Sequence, residues 1–487
     1  MNRHTVEKIG GTSMSRFDEV MNNVLIGGRT EGALYNRIFV VSAFGGITDM
    51  LLENKRTGEP GVYSLFCSAD TDWEWSNLIT RVGERMSTIN AEMFQDEMDL
   101  QVADAFVKER LEGVRSCLLD LHRLCSFGHF QLEEHLATVR EMLSAVGEAH
   151  SAHNTALALR RQGVNSRFVD LTGWRDPEVL PLQERIASSL SGIDLSRELP
   201  IVTGYAQCKE GLISQFDRGY SEITFSQIAV VSGASEAIIH KEYHLSSADP
   251  RIVGEDEVCP IGRTNYDVAD QLSNLGMEAI HPGAAIKLRQ RGIPLRVRNT
   301  FEPHHSGTLI DSEYCSESPQ VEIVAGRKNV YLISLFDQDM VGQIEVYDAK
   351  VIETVRRFGV KVISQHNNAN TLTRLVSGNL KAVKRITHTL ESHYPGARIR
   401  VRKVALVAAI GSDLSQPGLL ARTLQALADR NVEVLAVHTS TRWVDVQLIL
   451  DESQYEEAIR ALHSALIQQQ APAGHSEPNP TGRVAVG

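Results

Sequence analysis

Thr5-Val6-Glu7-Lys8-Ile9-Gly10-Gly11-Thr12-Ser13 reads as a β-strand that runs directly into a paired-glycine turn. Phe17, Val20, Met21, Val24 and Leu25 then follow at helical spacing. Ser15 is placed to cap that helix, and Asp18 three residues later supports its first turn. The same grammar recurs at once. Ile38-Phe39-Val40-Val41 is a second apolar strand, Ser42-Ala43-Phe44-Gly45-Gly46 a small-residue loop, and a helix begins at Thr48. Strand–loop–helix repeats of this kind predict an α/β fold with a mostly parallel sheet covered on both faces. Further strands are expected at 166–169, 200–203, 211–215, 237–240 and 293–298, with a long helical insert over about 72–163.

A polar, proline-bearing segment at 316–320 looks like a hinge. Beyond it two units of about 70 residues share a β-α-β-β-α-β plan, the pattern of paired ferredoxin-like domains. The expected divisions are 1–315, 316–400 and 401–470. The Pro/Gly/Ser-rich stretch 471–487 is expected to be a disordered tail.

Composition narrows the function classes. The chain has 487 residues, 42% hydrophobic and 23% charged, which is globular rather than disordered. Its net charge of −12 is spread without a basic block, so nucleic acid is not an expected partner. No run of about 18 apolar residues exists to span a membrane. The opening lacks the apolar core of an export signal, so a cytoplasmic protein is expected. Cys67, Cys117, Cys125, Cys208, Cys259 and Cys315 form no CxxC pair and are expected to be reduced and mostly buried.

Several residues could carry chemistry. A glycine turn between strand and helix points backbone N–H groups at an anion, and Lys8 could add a full charge. The match is neither a Walker A loop nor GxGxxG, and a tight β–α turn with a surface lysine fits the spacing equally well. In Asp217-Arg218-Gly219-Tyr220-Ser221-Glu222, Arg218 could grip a carboxylate as a fork, or the segment could be a plain helix start. Glu148 follows Gly147 late in the helical insert. His150 and His153 stand three apart nearby, but match no zinc motif, and no metal site is expected. Ser246 to Arg251 reads as a turn in which Asp249 and Arg251 can pair.

Taken together these segments resemble the aspartokinases. Lys8-Ile9-Gly10-Gly11-Thr12-Ser13 is similar to their KFGGTS opening, and residues 41–48 to their second glycine loop. Arg218-Gly219-Tyr220-Ser221-Glu222 resembles RGGSD, Ser247-Ala248-Asp249-Pro250-Arg251 resembles TADPR, and the two C-terminal units look like tandem ACT domains. The resemblance runs in order over about residues 3–468. HTVEKIGGTSMSRFDEV looks most like the type associated with ectoine synthesis.

The resemblance implies transfer of the γ-phosphoryl group of ATP, with Mg²⁺, to the side-chain carboxylate of L-aspartate. Lys8 and Arg218 would be catalytic. Ser42, Thr48, Glu148, Tyr205, Arg218, Ser221 and Glu222 would hold aspartate. Lys8, Gly10, Gly11, Thr12, Lys241, Ser246 and Arg251 would meet the nucleotide. It also implies a homodimer or larger homo-oligomer through the ACT pair, and an amino-acid effector near Asp339, Met340 and Gly342. Three departures stand out. Glu222 replaces a family aspartate, His240-Lys241 replaces a Thr-Asp pair, and Glu278 replaces a lysine that normally meets the nucleotide. Lys241 is a candidate to offset Glu278. Those departures leave a silent amino-acid sensor as the competing expectation.

Overall fold

The structure, a computed structural model, describes residues 3–55, 57–68, 72–216, 219–277 and 279–468. It divides into two compact units. The first comprises the chain to Leu245, Pro260–Ala269 and Ala279–Tyr314; the second takes Ser246–Cys259, a short stretch from Asp270, and the chain from Cys315 onward.

The first unit is built on an eight-stranded sheet. Its strands are β1 (Thr5–Ile9), β2 (Arg37–Val41), β3 (Ser166–Val169), β4 (Leu199–Thr203), β5 (Glu236–Lys241), β6 (Arg263–Asn265), β7 (Leu295–Asn299) and β8 (Thr308–Asp311). They lie in the order β3-β4-β2-β1-β5-β7-β8-β6. Every neighbour pair is parallel except β7 with β8. Burial explains the unbroken apolar strands, since β2 and β4 are covered along their whole length. Val6, Ile38, Val40, Val202 and Ile239 pack on one face beneath the helix Tyr220–Ser232. Ile9, Phe39, Val41 and Ile201 pack on the other, against the insert helices Trp73–Met93, Glu97–Cys125 and Leu136–Arg161. β1 sits between β2 and β5. Gly10 therefore leaves the sheet mid-edge, at the carboxyl ends of the strands, where open α/β sheets bind their ligands.

Glu7, Arg37 and His240 form a buried cluster inside this sheet. Arg37 Nε donates to Glu7 Oε1 at 2.7 Å, and His240 Nε2 stands 2.8 Å from Glu7 Oε2. Arg37 also donates to the backbone oxygens of Val24 and Leu25. Burial alone would raise the Glu7 pKa, but the Arg37 charge and the His240 contact hold its carboxyl well below the ordinary value. Breaking a buried pair on one side strands the other charge, at about 3–5 kcal/mol. Arg37→Met should therefore lower unfolding stability by about that amount, measured by denaturant titration at constant m-value. A loss under about 1 kcal/mol would show that Glu7 finds another partner.

Three local expectations are corrected here. Ser15 does not cap a helix. The chain turns helical already at Gly11–Met14, and Ser15 Oγ instead accepts from Gly45 N at 3.0 Å and donates to Gly11 O at 3.3 Å. Residues 211–215 form the helical turn Leu212–Gln215, not a strand, because Glu141 from the insert accepts from the first-turn amides of Ile213 and Ser214. Of the cysteines only Cys208 is buried; Cys67, Cys117, Cys259 and Cys315 are exposed.

The second unit carries a six-stranded antiparallel sheet. Its strands are β9 (Ile323–Phe336), β10 (Lys361–Asn368), β11 (Thr371–Ser377), β12 (Arg398–Ile410), β13 (Val434–Thr439) and β14 (Asp445–Asp451), ordered β10-β11-β9-β12-β14-β13. β9 and β12 are one long ribbon. Their pairing runs from Arg398 opposite Phe336 to Ile410 opposite Ile323, with a register shift between Val404 and Leu406. The ribbon's inner half pairs with β11, and its outer half with β14. The two ferredoxin-like halves are thus nested rather than consecutive, and the expected division at 400 falls within β12. Among the described residues no helix is long and apolar enough to cross a membrane.

Candidate active site

The two glycine loops meet at the carboxyl edge of the first unit's sheet. A Cβ on Gly11 would stand 2.8 Å from the backbone oxygen of Ala43, so only glycine lets the loops approach this closely. Ser15 bridges the same loops as described above. Lys8, at the end of β1, is buried, and its Nζ lies 3.6 Å from Glu222 Oε1. Glu222 Oε2 accepts from the backbone N of His281. The methylene that distinguishes glutamate from aspartate is used here to span from the lysine to that amide.

Glu148 is the centre of the second cluster. It is 1% exposed, Ser221 Oγ donates to its Oε1 at 2.9 Å, its Oε2 completes no hydrogen bond, and the Tyr220 hydroxyl and the Tyr205 amide stand beside the carboxyl. Burial pushes its pKa up to about 8, with the Ser221 bond and the Lys8 charge offsetting only part of that rise. A buried carboxyl with one orphaned oxygen is a socket for an incoming donor. Gly204 floors this socket. A Cβ there would meet Glu148 Oε2 at 2.8 Å, Ser221 Cβ at 2.9 Å and the backbone oxygen of Val41 at 2.9 Å. Gly204→Ala should accordingly raise the aspartate KM at least about tenfold and cost about 1–3 kcal/mol of stability. Steady-state kinetics and melting together check this, and an unchanged KM would mean the socket lies elsewhere.

The other expected residues fall as follows. Thr48 faces the Tyr220 hydroxyl, whose pKa is raised by burial and by the Glu148 charge. Ser42 heads the second loop, its N donating to Ile9 O at 3.2 Å. Thr12 is exposed in the first loop. Tyr205 is buried with its ring edge-on to Tyr220, but its hydroxyl donates to Glu141 Oε2 at 2.6 Å, so it braces the wall. Lys241 is half-buried at the end of β5. His240 is engaged by Glu7 inside the sheet, which takes its ring out of the nucleotide role. Arg218 and Glu278 lie outside the described residues. Ser246 and Arg251 belong to the second unit, where Arg251 pairs with Asp249 at 3.0 Å. Also in that unit, Asp339 and Met340 lie in the short helix Gln338–Met340 capped by Asp337, with Met340 buried and Gly342 at φ +82°.

Sequence reasoning gave no role to Ser13, Gly204, Tyr220 or Glu242. Ser13 Oγ donates to Glu242 Oε1 at 2.8 Å and stands 3.2 Å from Thr300 Oγ1. The signal for Glu242 was a carboxylate three residues past Ile239, in line with the lysine-bearing strand end. His150 and His153, for which the sequence predicts no metal site, have partners of their own. His150 lies 2.7 Å from Asn90 Oδ1, burial lowers its pKa to about 3, and His153 stacks on Phe106.

The profile of the amino acid kinase family matches residues 3–299, and an ACT-domain profile matches residues 407–466. The aspartate kinase Ask_Ect of Stutzerimonas stutzeri is 53% identical over 474 residues, covering 97% of this chain and 99% of that protein. The chain belongs to the aspartokinases. This aspartokinase is also 24% identical to the chloroplastic aspartokinase 2 of Arabidopsis thaliana over 95% of its length and 84% of the relative's. Its fold matches E. coli aspartokinase III in complex with aspartate and ADP, with a TM-score of 0.70 at 19% identity over 95% of this chain and 99% of that one. The aspartokinase fold thus carries both glycine loops, Lys8 and the Glu148 socket. Its activity is the phosphorylation of aspartate.

Proposed function

We propose that this aspartokinase uses ATP, seats aspartate with its ammonium on Glu148, and places the transferred phosphoryl group at Lys8 and the first glycine loop. The observation that carries this reading is Glu148, buried with one orphaned oxygen beside Ser221 in a site that also holds Lys8. An α-ammonium is the donor that such an oxygen lacks.

The chemistry asks little of the protein as acid or base. A free aspartate side chain has a pKa near ~3.9 and is already a carboxylate at neutral pH. One of its oxygens attacks the γ-phosphorus of ATP, the new O–P bond forms as the bond to the β–γ bridging oxygen breaks, and ADP leaves. Catalysis is then positioning and charge neutralisation. Lys8 faces the charge on the transferred group, Gly10, Gly11 and Thr12 offer backbone donors, and Ser42, Thr48 and Ser221 line the aspartate side. Glu222 holds the Lys8 amine in place through its own tie to His281. Arg218 is assigned the α-carboxylate on its resemblance to the family segment alone.

Mg²⁺ fits only as a companion of the nucleotide. Among the described residues no group of three or more His, Cys, Asp or Glu could hold a metal ion. Mg²⁺ commonly takes one or two protein oxygens, with phosphates and waters completing the shell. When bound it neutralises phosphate charge.

Regulation and setting follow the resemblance. The ACT-like halves are assigned to homo-oligomer contact and to an amino-acid effector near Asp339, Met340 and Gly342, and the product to a cytoplasmic supply for ectoine synthesis. The experiment is hydroxamate trapping of acyl phosphate with purified protein, ATP, Mg²⁺ and L-aspartate. Product that requires both ATP and L-aspartate supports the reading. Product from L-glutamate or N-acetylglutamate in place of aspartate would overturn the substrate assignment, and no product at saturating ATP would overturn the donor.

A further inference from the structure

We infer that Glu242, together with the hydroxyls of Ser13 and Thr300, forms the protein's share of a Mg²⁺ site for the nucleotide's phosphates. This rests on the ATP reading above. Ser13 ends the Lys8-Ile9-Gly10-Gly11-Thr12-Ser13 loop and is fully buried, as is Thr300. Glu242 Oε1 is 2.8 Å from Ser13 Oγ, and Thr300 Oγ1 is 3.2 Å from the same atom. Glu242 Oε1 is also 3.9 Å from the place a Cβ on Gly10 would occupy, which puts the carboxylate against the glycine turn itself. Thr300 is fixed from two sides: its N donates to Lys241 O at 2.8 Å, and its O accepts from Asn23 Nδ2 at 3.0 Å.

Glu242 and Thr300 thus each lie within hydrogen-bond reach of Ser13 Oγ, beside the loop where phosphates are expected. Mg²⁺ bonded at 2.0–2.1 Å in an octahedron places adjacent donors about 2.9 Å apart. The two spacings here, 2.8 and 3.2 Å, bracket that edge. A serine or threonine hydroxyl beside a phosphate-cradling glycine loop is a recurring Mg²⁺ ligand in nucleotide chemistry. Charge points the same way. Lys8 already faces Glu222 at 3.6 Å, so a further carboxylate against the loop would repel the phosphates unless a cation stood between them. Glu242 makes metal-bound nucleotide the favoured form and metal-free nucleotide the rejected one.

Glu242→Gln separates this from a structural role, because the amide oxygen still accepts the Ser13 proton. The readout is calorimetric binding of ADP, which does not turn over, to wild type and variant with either Mg²⁺ or EDTA. Wild type should bind ADP more tightly with Mg²⁺. The variant should lose about tenfold or more in Mg²⁺ while binding as well or more tightly in EDTA. That opposite response is the signature, since a merely repulsive carboxylate would give tighter binding in both. Tightening in both conditions, or an unchanged ratio between them, would overturn the assignment. Manganese titrated in the presence of ADP and followed by electron paramagnetic resonance gives a second readout: weaker Mn²⁺ retention in the variant supports the site, and equal retention overturns it. Wild type that binds no ADP in either buffer would instead bring down the ATP reading on which this depends. Equal melting temperatures would show that the variant is folded.

Discussion

Lys8→Ala should reduce kcat for acyl-phosphate formation by about a thousandfold or more. Removing a single neutral donor from a transition-state charge costs about 10²–10³. Lys8 carries a full charge at a buried position between the glycine loop and the Glu148 socket. Lys8 is the cation that faces both Glu148 and Glu222, and Lys241, a second described cation at these strand ends, lies on the neighbouring strand β5. Truncation also leaves Glu222 without its cation, so some stability is lost with the activity. The double variant Lys8→Ala with Glu222→Gln separates these effects: it should recover the melting temperature and none of the rate. An active Lys8→Ala enzyme would mean that the phosphoryl group is neutralised elsewhere.

Glu148→Gln should weaken aspartate by roughly 10²-fold, the scale on which one partner of a buried charge pair counts. The pH dependence gives the sharper test. Burial holds the carboxyl near about 8 in the absence of substrate, so at neutral pH it is mostly protonated. An arriving ammonium favours the ionised form, and binding must therefore release a proton. The aspartate KM should fall as pH rises toward about 8 and then level off, and the variant should show no such slope. Calorimetry in buffers of different ionisation enthalpy reads the released proton directly. Stability runs the opposite way. The folded carboxyl keeps its proton where the unfolded one has lost it, so wild type loses stability as pH rises from the ordinary 4.5 to about 8. Glu148→Gln lacks that loss, and its advantage in melting temperature should open across the same window. A wild-type protein with flat KM and no proton release would place the Glu148 carboxyl in its charged form from the start.

What the sequence made legible was local. Strand, glycine loop and helix adjoin one another in residues 5–25 and 38–51, so hydrophobic spacing and turn chemistry suffice to place both loops and Lys8. Glu148 and Ser221 were named through likeness to a family pattern, since 73 residues separate them and nothing local announces their 2.9 Å bond. His240 shows the limit more plainly. Its neighbours in sequence lie on the nucleotide side, whereas its ring pairs with Glu7, 233 residues away, inside the sheet. The helical turn Leu212–Gln215 is hidden from the sequence for a similar reason. Leu212 and Ile213 are successive buried apolar residues that suit a strand, and the carboxylate that caps them as a helix comes from Glu141. Glu242 passed as an ordinary charge at a strand end because Ser13 and Thr300 are distant in the chain.

The ribbon of β9 and β12 also fixes an order of events during synthesis. Phe336 can find Arg398, and Val330 can find Val404, once the intervening helices and hairpin have been made. The inner half of the sheet can therefore condense while the rest is still being translated. Ile323 emerges earlier than any of these residues, yet its partner Ile410 comes last, and β14 must follow before the outer half gains its next strand. The outer half is closed by residues from both ends of the segment. A ribosome that stalls near residue 400 would leave Ile323, Val324 and Ala325 as an unpaired apolar strand edge, the kind of surface on which nascent chains aggregate.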